Sequence, residues 1–185
     1  VIIPAFNEED SIGYVLDDLP KEKLSEIIVV DNACTDNTAN IAKSHGARVV
    51  EEARRGYGSA CLKGISELNG PDIVVFIDGD YSDYPETLEK LIEPIKAGEA
   101  DFVLGSRMIF PESRAAILPQ ARYGNKVATL LMRLFFGHCF TDLGPFRAIR
   151  YASLKEMDME DTNFGWTVEM QIKAVKNGLR IVEIP

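Results

Sequence analysis

Ile73-Val-Val-Phe-Ile-Asp78-Gly-Asp80-Tyr-Ser-Asp83-Tyr-Pro85 is an apolar, β-favouring run that breaks abruptly into three carboxylates. Its first half reads as a strand buried on both faces, the pattern of a parallel sheet. Gly79 removes a side chain and frees the backbone to turn between the first two acids. A strand of this kind delivers Asp78 and Asp80 to the rim where α/β sheets bind ligands. Two aspartates one residue apart can share a divalent cation through hard oxygen ligands. The same residues also make an ordinary solvated turn, because Asp and Gly are turn formers. The rest of the chain has to decide between these readings.

Outward from this stretch the chain alternates. Val1 to Pro4, Ile27 to Asp31, Arg48 to Val50 and Phe102 to Ser106 read as further strands. Helical periodicity falls between them, through Leu19, from Thr35 to Ser44, from Ser59 to Leu68 and from Pro85 to Ala97. Alternation of this kind predicts an α/β fold: a Rossmann-like, mainly parallel sheet with helices on both faces, in three layers α/β/α. From Met108 the character changes. Residues 109–122 carry two prolines and no clean period, and read as a loop. Asn125 to Phe136 reads as a helix rich in apolar residues, with Val127, Leu130, Leu131, Leu134, Phe135 and Phe136 interrupted by Lys126 and Arg133. A turn at Thr141–Pro145, a strand at 146–149, helices at 151–157 and 166–176 and a strand at 180–184 follow. This second half reads as a decoration of the first, so 1–185 is expected to form a single domain with a division near residue 107.

With 185 residues the chain suits one domain with a real core, on the usual scale of roughly 100–200 residues. Twenty basic residues against 29 acidic ones give a net charge of −9, which argues against a nucleic-acid partner while leaving room for a local phosphate site. Cys34, Cys61 and Cys139 lack zinc or CxxC spacing, and fit buried thiols in a reducing, cytoplasmic setting. No run of 18 uncharged apolar residues suggests a membrane span. Val1 stands inside an expected strand and Pro185 directly follows another, so both ends read as cut from a longer chain.

Four strand ends carry polar residues: Pro4-Ala-Phe-Asn-Glu8, Asp31-Asn32, Asp78-Gly-Asp80 and Gly105-Ser-Arg107. In a parallel sheet these share one edge, and Arg54, Arg55 and Arg107 lie along it too. Acids that hold a cation, with arginines close by, make a receptacle for a diphosphate.

These motifs, with Val29-Val-Asp-Asn-Ala-Cys-Thr-Asp-Asn-Thr38, Gly56-Tyr-Gly-Ser-Ala60, Thr141-Asp-Leu-Gly-Pro-Phe-Arg-Ala148 and Gly178-Leu-Arg-Ile-Val-Glu-Ile-Pro185, follow in order and spacing across the whole chain. Together they resemble family 2 glycosyltransferases of the GT-A fold, and within them the dolichyl- or polyprenyl-phosphate mannosyl- and glucosyltransferase branch. The resemblance implies a nucleotide-sugar half (1–107) and an acceptor-side half (108–185). It implies inverting transfer of a hexose from a UDP- or GDP-sugar, with Mg²⁺ or Mn²⁺ as cofactor. Asp80 would be the main ligand of a metal that bridges the donor's two phosphates, and Asp78 would contact ribose or metal. Pro4, Ala5, Asn7, Glu8, Asp31 and Asn32 would line the nucleotide pocket beside Arg55 and Gly56. Arg107 would sit near the donor phosphates or the acceptor. Asp142 would be the base for a hydroxyl acceptor. For a lipid-phosphate acceptor, which is already anionic near neutrality, Arg107, Arg122 and Arg147 would bind the acceptor phosphate and Asp142 would orient them.

Bland readings stand beside these: Asn7 and Glu8 as helix caps, Asp31 and Asp142 as turn acids, Arg107 as a surface residue. The apolar helix either packs in the core or touches a membrane surface on the cytoplasmic face, where a lipid acceptor would lie. Trp166 is either core or a sugar platform. This chain departs from the resemblance at Asn32, where a second acid is frequent, at Ser82 in place of Gln, and at Pro145. Ser82 leaves the third metal ligand open between water and Asp83. A soluble or polysaccharide acceptor, a non-catalytic nucleotide-sugar-binding module, and a homo-oligomer remain open alternatives.

Overall fold

The structure is a computed structural model that describes residues 1–109 and 119–185, and the side chains of all of these except 119–122. In chain order its elements are β1 (Ile2–Ala5), α1 (Ile12–Asp18), β2 (Ile28–Asp31), α2 (Thr38–Ser44), β3 (Arg48–Glu51), α3 (Tyr57–Ser66), β4 (Ile73–Phe76), α4 (Leu88–Lys96), β5 (Phe102–Gly105), α5 (Pro119–Phe136), β6 (Arg147–Arg150), α6 (Tyr151–Met157), α7 (Trp166–Lys176) and β7 (Ile181–Ile184). The strands join in one sheet of order β3-β2-β1-β4-β6-β5-β7. All the pairings are parallel except those of β6, which runs antiparallel between β4 and β5.

Period-two alternation splits the strand residues between two cores, as the pleat requires. Ile3, Val29, Val75 and Val103 face a layer made by α1, α2 and α4, through Ile12, Leu16, Ala42, Leu91 and Ile95. Ile2, Val30, Phe76 and Leu104 face the other layer, built on Cys61 of α3, Met132 of α5, Leu154 of α6, and Trp166 and Met170 of α7. The expected three-layer α/β/α arrangement is therefore present. Trp166 is core: it is fully buried, edge-on to Phe76 with ring centroids 4.7 Å apart.

Several boundaries shift by a few residues from the sequence reading, and two helix starts bear on the site. Helix α3 starts at Tyr57 rather than Ser59, because the loop at 162–163 caps its first amides: Gly58 N donates to Asn163 O and Ser59 N to Thr162 O. Helix α5 starts at Pro119 rather than Asn125. A proline suits a helix's first turn, where its missing N–H costs nothing. The remainder of the expected 109–122 loop, from residue 110 to 118, and the side chain of Arg122 lie outside the described residues.

The orientation of β6 positions the site. Because it is antiparallel, its first residue Arg147 stands opposite Phe76 of β4 and Leu104 of β5, at the edge where those strands end. The turn before β6, carrying Asp142, is thereby brought to the edge that already holds Asp78 and Arg107.

Gly58 marks a contact that admits no side chain. A Cβ there would stand 2.0 Å from the carbonyl oxygen of Asp161. Gly58→Ala must push the first turn of α3 away from the loop that caps it, and overpacking of this kind costs about 1–3 kcal/mol. The expected result is a lower urea midpoint with an unchanged m-value.

Candidate active site

The polar edge frames a cleft of about 450 Å³ between the tips of β1 and β4 and the start of α3. Pro4, Ala5 and Glu8 from the end of β1 line it, facing Arg55, Gly56 and Tyr57, with Asp78, Gly79 and Asp80 between them. Glu8 accepts at close range from Ser11 Oγ (3.0 Å), whose hydroxyl also lies 2.8 Å from the carbonyl of Gly79. Burial, followed by the charges of Asp80 and Asp36, raises the Glu8 pKa. The guanidinium of Arg55 lies over the ring of Phe6, 4.7 Å from its centroid, closing one side of the cleft.

Asn7 and Asp31 stand apart from the cleft wall. Asn7 adopts a left-handed backbone (φ 57°) and its Oδ1 accepts from the amide of Thr35 at 2.8 Å. Asp31 Oδ1 accepts from the amide of Cys34 at 2.8 Å. Asn7 thereby clamps the loop after β1 to the loop after β2, and Asp31 shapes the turn of the latter. Asn32 is the member of its pair that reaches the cleft. Its Nδ2 donates to the carbonyls of Glu52 and Arg54, and its Oδ1 accepts from the amide of Gly56. An aspartate could accept that last bond but could not donate the other two. The neutral residue thus ties the exit of β3 to the entrance of α3.

Asp78 is half-buried and accepts the hydroxyl of Tyr57 at 2.9 Å. Burial, reinforced by the nearby charges of Asp83 and Asp80, pushes its pKa up to about 7, against the pull of that hydrogen bond. Asp80 is exposed, and its Oδ1 accepts from the amide of Ser82 at 3.0 Å. Asp83 is buried, and burial raises its pKa to about 6 against the opposing charge of Arg107. Its Oδ2 has no hydrogen-bond partner among the described residues.

Arg107 and Asp142 form one unit. Asp142 Oδ2 accepts from both the amide and Nε of Arg107 at 3.0 Å. Its Oδ1 accepts from Asn125 Nδ2 and the amide of Leu143. Asp142 is fully buried, whereas the Arg107 side chain keeps a third of its surface open. A carboxylate occupied in this way orients a cation and has no lone pair directed at a substrate hydroxyl. Arg107 and Asp83 face a second hollow of about 310 Å³, shared with Ser106, Phe146 and Ile184.

Arg147 departs from the expectation that it meets an acceptor. Its guanidinium is fully buried, and its N–H groups donate to the carbonyls of Leu143, Gly144, Pro145 and Thr167. Burial pushes its pKa down. It fastens the turn before β6 to the start of α7, beneath Asp78.

Sequence reasoning missed Tyr57, Phe6, Asn163 and Phe164, all of which line the cleft. Tyr57 sits inside the Gly56-Tyr-Gly58 motif, so a signal was present. Asn163 and Phe164 come from the second half of the chain through the loop that caps α3, a contact that no local pattern announces. The cleft therefore draws on both halves.

Among the described residues no three His, Cys, Asp or Glu side chains stand assembled as a cation site. Two crowded carboxylates at a strand tip, beside a buried oxygen without a partner, nevertheless suit a hard divalent ion whose remaining ligands come from a bound diphosphate.

Comparison with known proteins agrees with this geometry. A family model described as Glycosyl transferase family 2 matches residues 1–158. An undecaprenyl-phosphate mannosyltransferase of Micrococcus luteus is 31% identical, over 100% of this chain and 80% of that protein. A UDP-N-acetylglucosamine–dolichyl-phosphate N-acetylglucosaminyltransferase of Methanococcus voltae is 29% identical, over 100% of this chain and 83% of that protein. A crystal structure of glucosyl-3-phosphoglycerate synthase from Mycobacterium tuberculosis, in complex with Mn²⁺, UDP-glucose and phosphoglyceric acid, matches with a TM-score of 0.80 at 26% identity, over 98% of this chain and 67% of that one.

The raised carboxyl groups have a consequence for stability. Asp78 holds its proton in the folded chain up to about pH 7, whereas an unfolded aspartate loses it near 4. Between those values the native state binds more protons, so stability falls as pH rises through the window. Asp83 adds the same sign up to about 6. Without divalent cations, the urea midpoint should drop between pH 4.5 and 7.5, and Asp78→Asn should make that drop smaller.

Proposed function

The chain belongs to glycosyl transferase family 2, and from that premise we propose that it is an inverting, metal-dependent hexosyltransferase. In this reading it moves a sugar from UDP or GDP to a polyprenyl or dolichyl phosphate. Residues 1–185 act as one domain, with 1–107 supplying most of the donor side and 108–185 most of the acceptor side. The observation that carries the acceptor assignment is the Arg107–Asp142 unit. The acceptor side offers a fixed, partly open cation and a carboxylate whose lone pairs are already taken. That arrangement suits a nucleophile arriving as an anion and provides poorly for one that must lose a proton.

The chain's own residues divide the work. The nucleotide lies against Pro4, Ala5, Glu8 and Asn32, with Arg55 and Phe6 on one side and Phe164 on the other. Asn7 and Asp31 hold that pocket's shape from behind. Asp80, with Asp78, would hold Mg²⁺ or Mn²⁺, which when bound neutralises charge on the departing diphosphate. Arg107 orients the acceptor phosphate. One of that phosphate's oxygens attacks the anomeric carbon from the face opposite the nucleotide, and the bond to the diphosphate breaks with its electron pair. Asp142 keeps the guanidinium aimed, and Arg147 supports the turn from below.

The relatives' names support a phosphate-bearing acceptor: undecaprenyl phosphate, dolichyl phosphate and, beside the Mn²⁺ and UDP-glucose of the solved structure, phosphoglyceric acid. The last of these favours a second reading, a soluble phosphorylated acceptor on the same Arg107. The lipid reading draws further support from α5. Its outer side exposes Tyr123, Val127, Leu130, Leu131, Leu134 and Phe135, with Lys126 and Arg133 exposed among them. No helix among the described residues is long and apolar enough to cross a membrane. A helix with this pattern is suited to lie in the interface on the cytoplasmic face.

Two measurements test this. Asp80→Asn should leave thermal stability near that of the wild type but reduce sugar transfer by at least 100-fold, and abolish the upward shift in melting temperature that Mn²⁺ adds to a UDP- or GDP-sugar. Normal turnover in the variant would sink the metal assignment. With polyprenyl phosphate in anionic vesicles, label from the donor should appear in an organic-extractable product. Label found only in water-soluble product would favour the soluble acceptor.

A further inference from the structure

Tyr81 follows Asp80 directly and has a left-handed backbone, φ 60°. Bulky residues rarely adopt that region, and one held there costs of order 1–3 kcal/mol unless its surroundings enforce it. Here they do. The Tyr81 hydroxyl donates to Asp18 of α1, and its ring stacks at a tilt against Tyr14 of the same helix, with centroids 5.8 Å apart. The side chain thus points away from the donor cleft and onto α1.

Helix α1 grips the same turn from the other end. Ser11, which immediately precedes it, holds the carbonyl of Gly79 at 2.8 Å. Buried Ile12, Val15 and Leu16 fix the helix itself on the sheet. The segment Gly79-Asp80-Tyr81 is therefore braced on both sides of Asp80. Across the strained residue, the amide of Ser82 donates to Asp80 Oδ1 at 3.0 Å. The backbone of Tyr81 decides where that amide stands, and so where the Asp80 carboxylate points.

We propose that Tyr81, latched to Asp18 and Tyr14, is a positioning residue that aims the Asp80 carboxylate at the bound diphosphate and its cation. The proposal rests on the donor-site reading above. A role confined to folding would need no strain at this residue, since glycine occupies a left-handed position freely. The latch holds an unfavourable backbone where only the direction of Asp80 gains from it.

Titration of Mn²⁺ into the protein with saturating UDP or GDP, read by calorimetry or by the Mn²⁺ magnetic-resonance signal, tests the latch. Tyr81→Phe and Asp18→Asn should each weaken Mn²⁺ binding about three- to tenfold, the worth of one hydrogen bond. Nucleotide affinity in EDTA should not change. Tyr81→Gly relieves the strain and loses both anchors, so it should fold at least as stably and yet bind Mn²⁺ more weakly than Tyr81→Phe. Wild-type Mn²⁺ affinity in all three variants would overturn the latch while leaving the donor site intact. A wild-type protein that binds no Mn²⁺ with either nucleotide would overturn the donor-site reading and the latch together.

Discussion

The buried carboxylate of Asp142 is the point to which the second half of the chain is fastened. Its oxygens accept from Arg107 at the end of β5, from Asn125 in α5 and from its own turn, while its carbonyl accepts from Gln171 of α7. Glu183 of β7 adds bonds to the amides of Thr141 and Asp142. A charge removed from water this completely is tolerable only when every lone pair is met. That condition brings the end of β5, α5 and the turn together, and the main-chain bonds to Gln171 and Glu183 add α7 and β7 at the same place, the sheet edge that bears the candidate site. Losing any donor would leave a buried charge undersatisfied and loosen several of these segments together.

The antiparallel strand β6 makes that meeting geometrically feasible. A parallel strand between β4 and β5 would have put its preceding turn at the far end of the sheet. Reversed, it brings the turn at 141–146 beside Arg107, and places the guanidinium of Arg147 under the edge, against Phe102 and Trp166. A buried cation there offsets part of the negative potential of Asp78 and its neighbours. Its donors are spent on main-chain carbonyls, so its influence on a ligand would pass through the field and through the shape of the turn.

Much of this was legible in the sequence for a physical reason. The inner parallel strands β1, β2, β4 and β5 are buried on both faces and read as continuous apolar runs. Their polar ends mark the binding edge whatever the helices do. That logic brought Asp78, Asp80, Arg107, Pro4, Ala5 and Glu8 to one rim without coordinates. It failed where a residue's role depends on a partner far away in the chain. Arg147 looks like any arginine until the carbonyls around it are seen, and Asn7 and Asp31 look like ligand contacts until Thr35 and Cys34 claim them. Asn32 seemed to weaken a motif, yet its amide makes three bonds, two of which are donations that an acid could not make. Phe164 carries no periodic signal, because the loop that delivers it is placed by its bonds to α3.

Unfavourable terms accumulate in the turn after β4. Asp142, Asn32 and Arg147 are saturated with partners. By contrast, the elevated pKa of Asp78, the unpartnered oxygen of Asp83 and the left-handed backbone of Tyr81 all fall between residues 78 and 83. Like charges held close together and strain held in place both raise the energy of the empty site, and a bound cation would relieve the charge term while making use of the geometry that the strain preserves. A well-bonded frame around a crowded, strained turn is what preorganisation requires. The surrounding bonds keep the turn from relaxing, so the binding energy of the ligand need not be spent on arranging it.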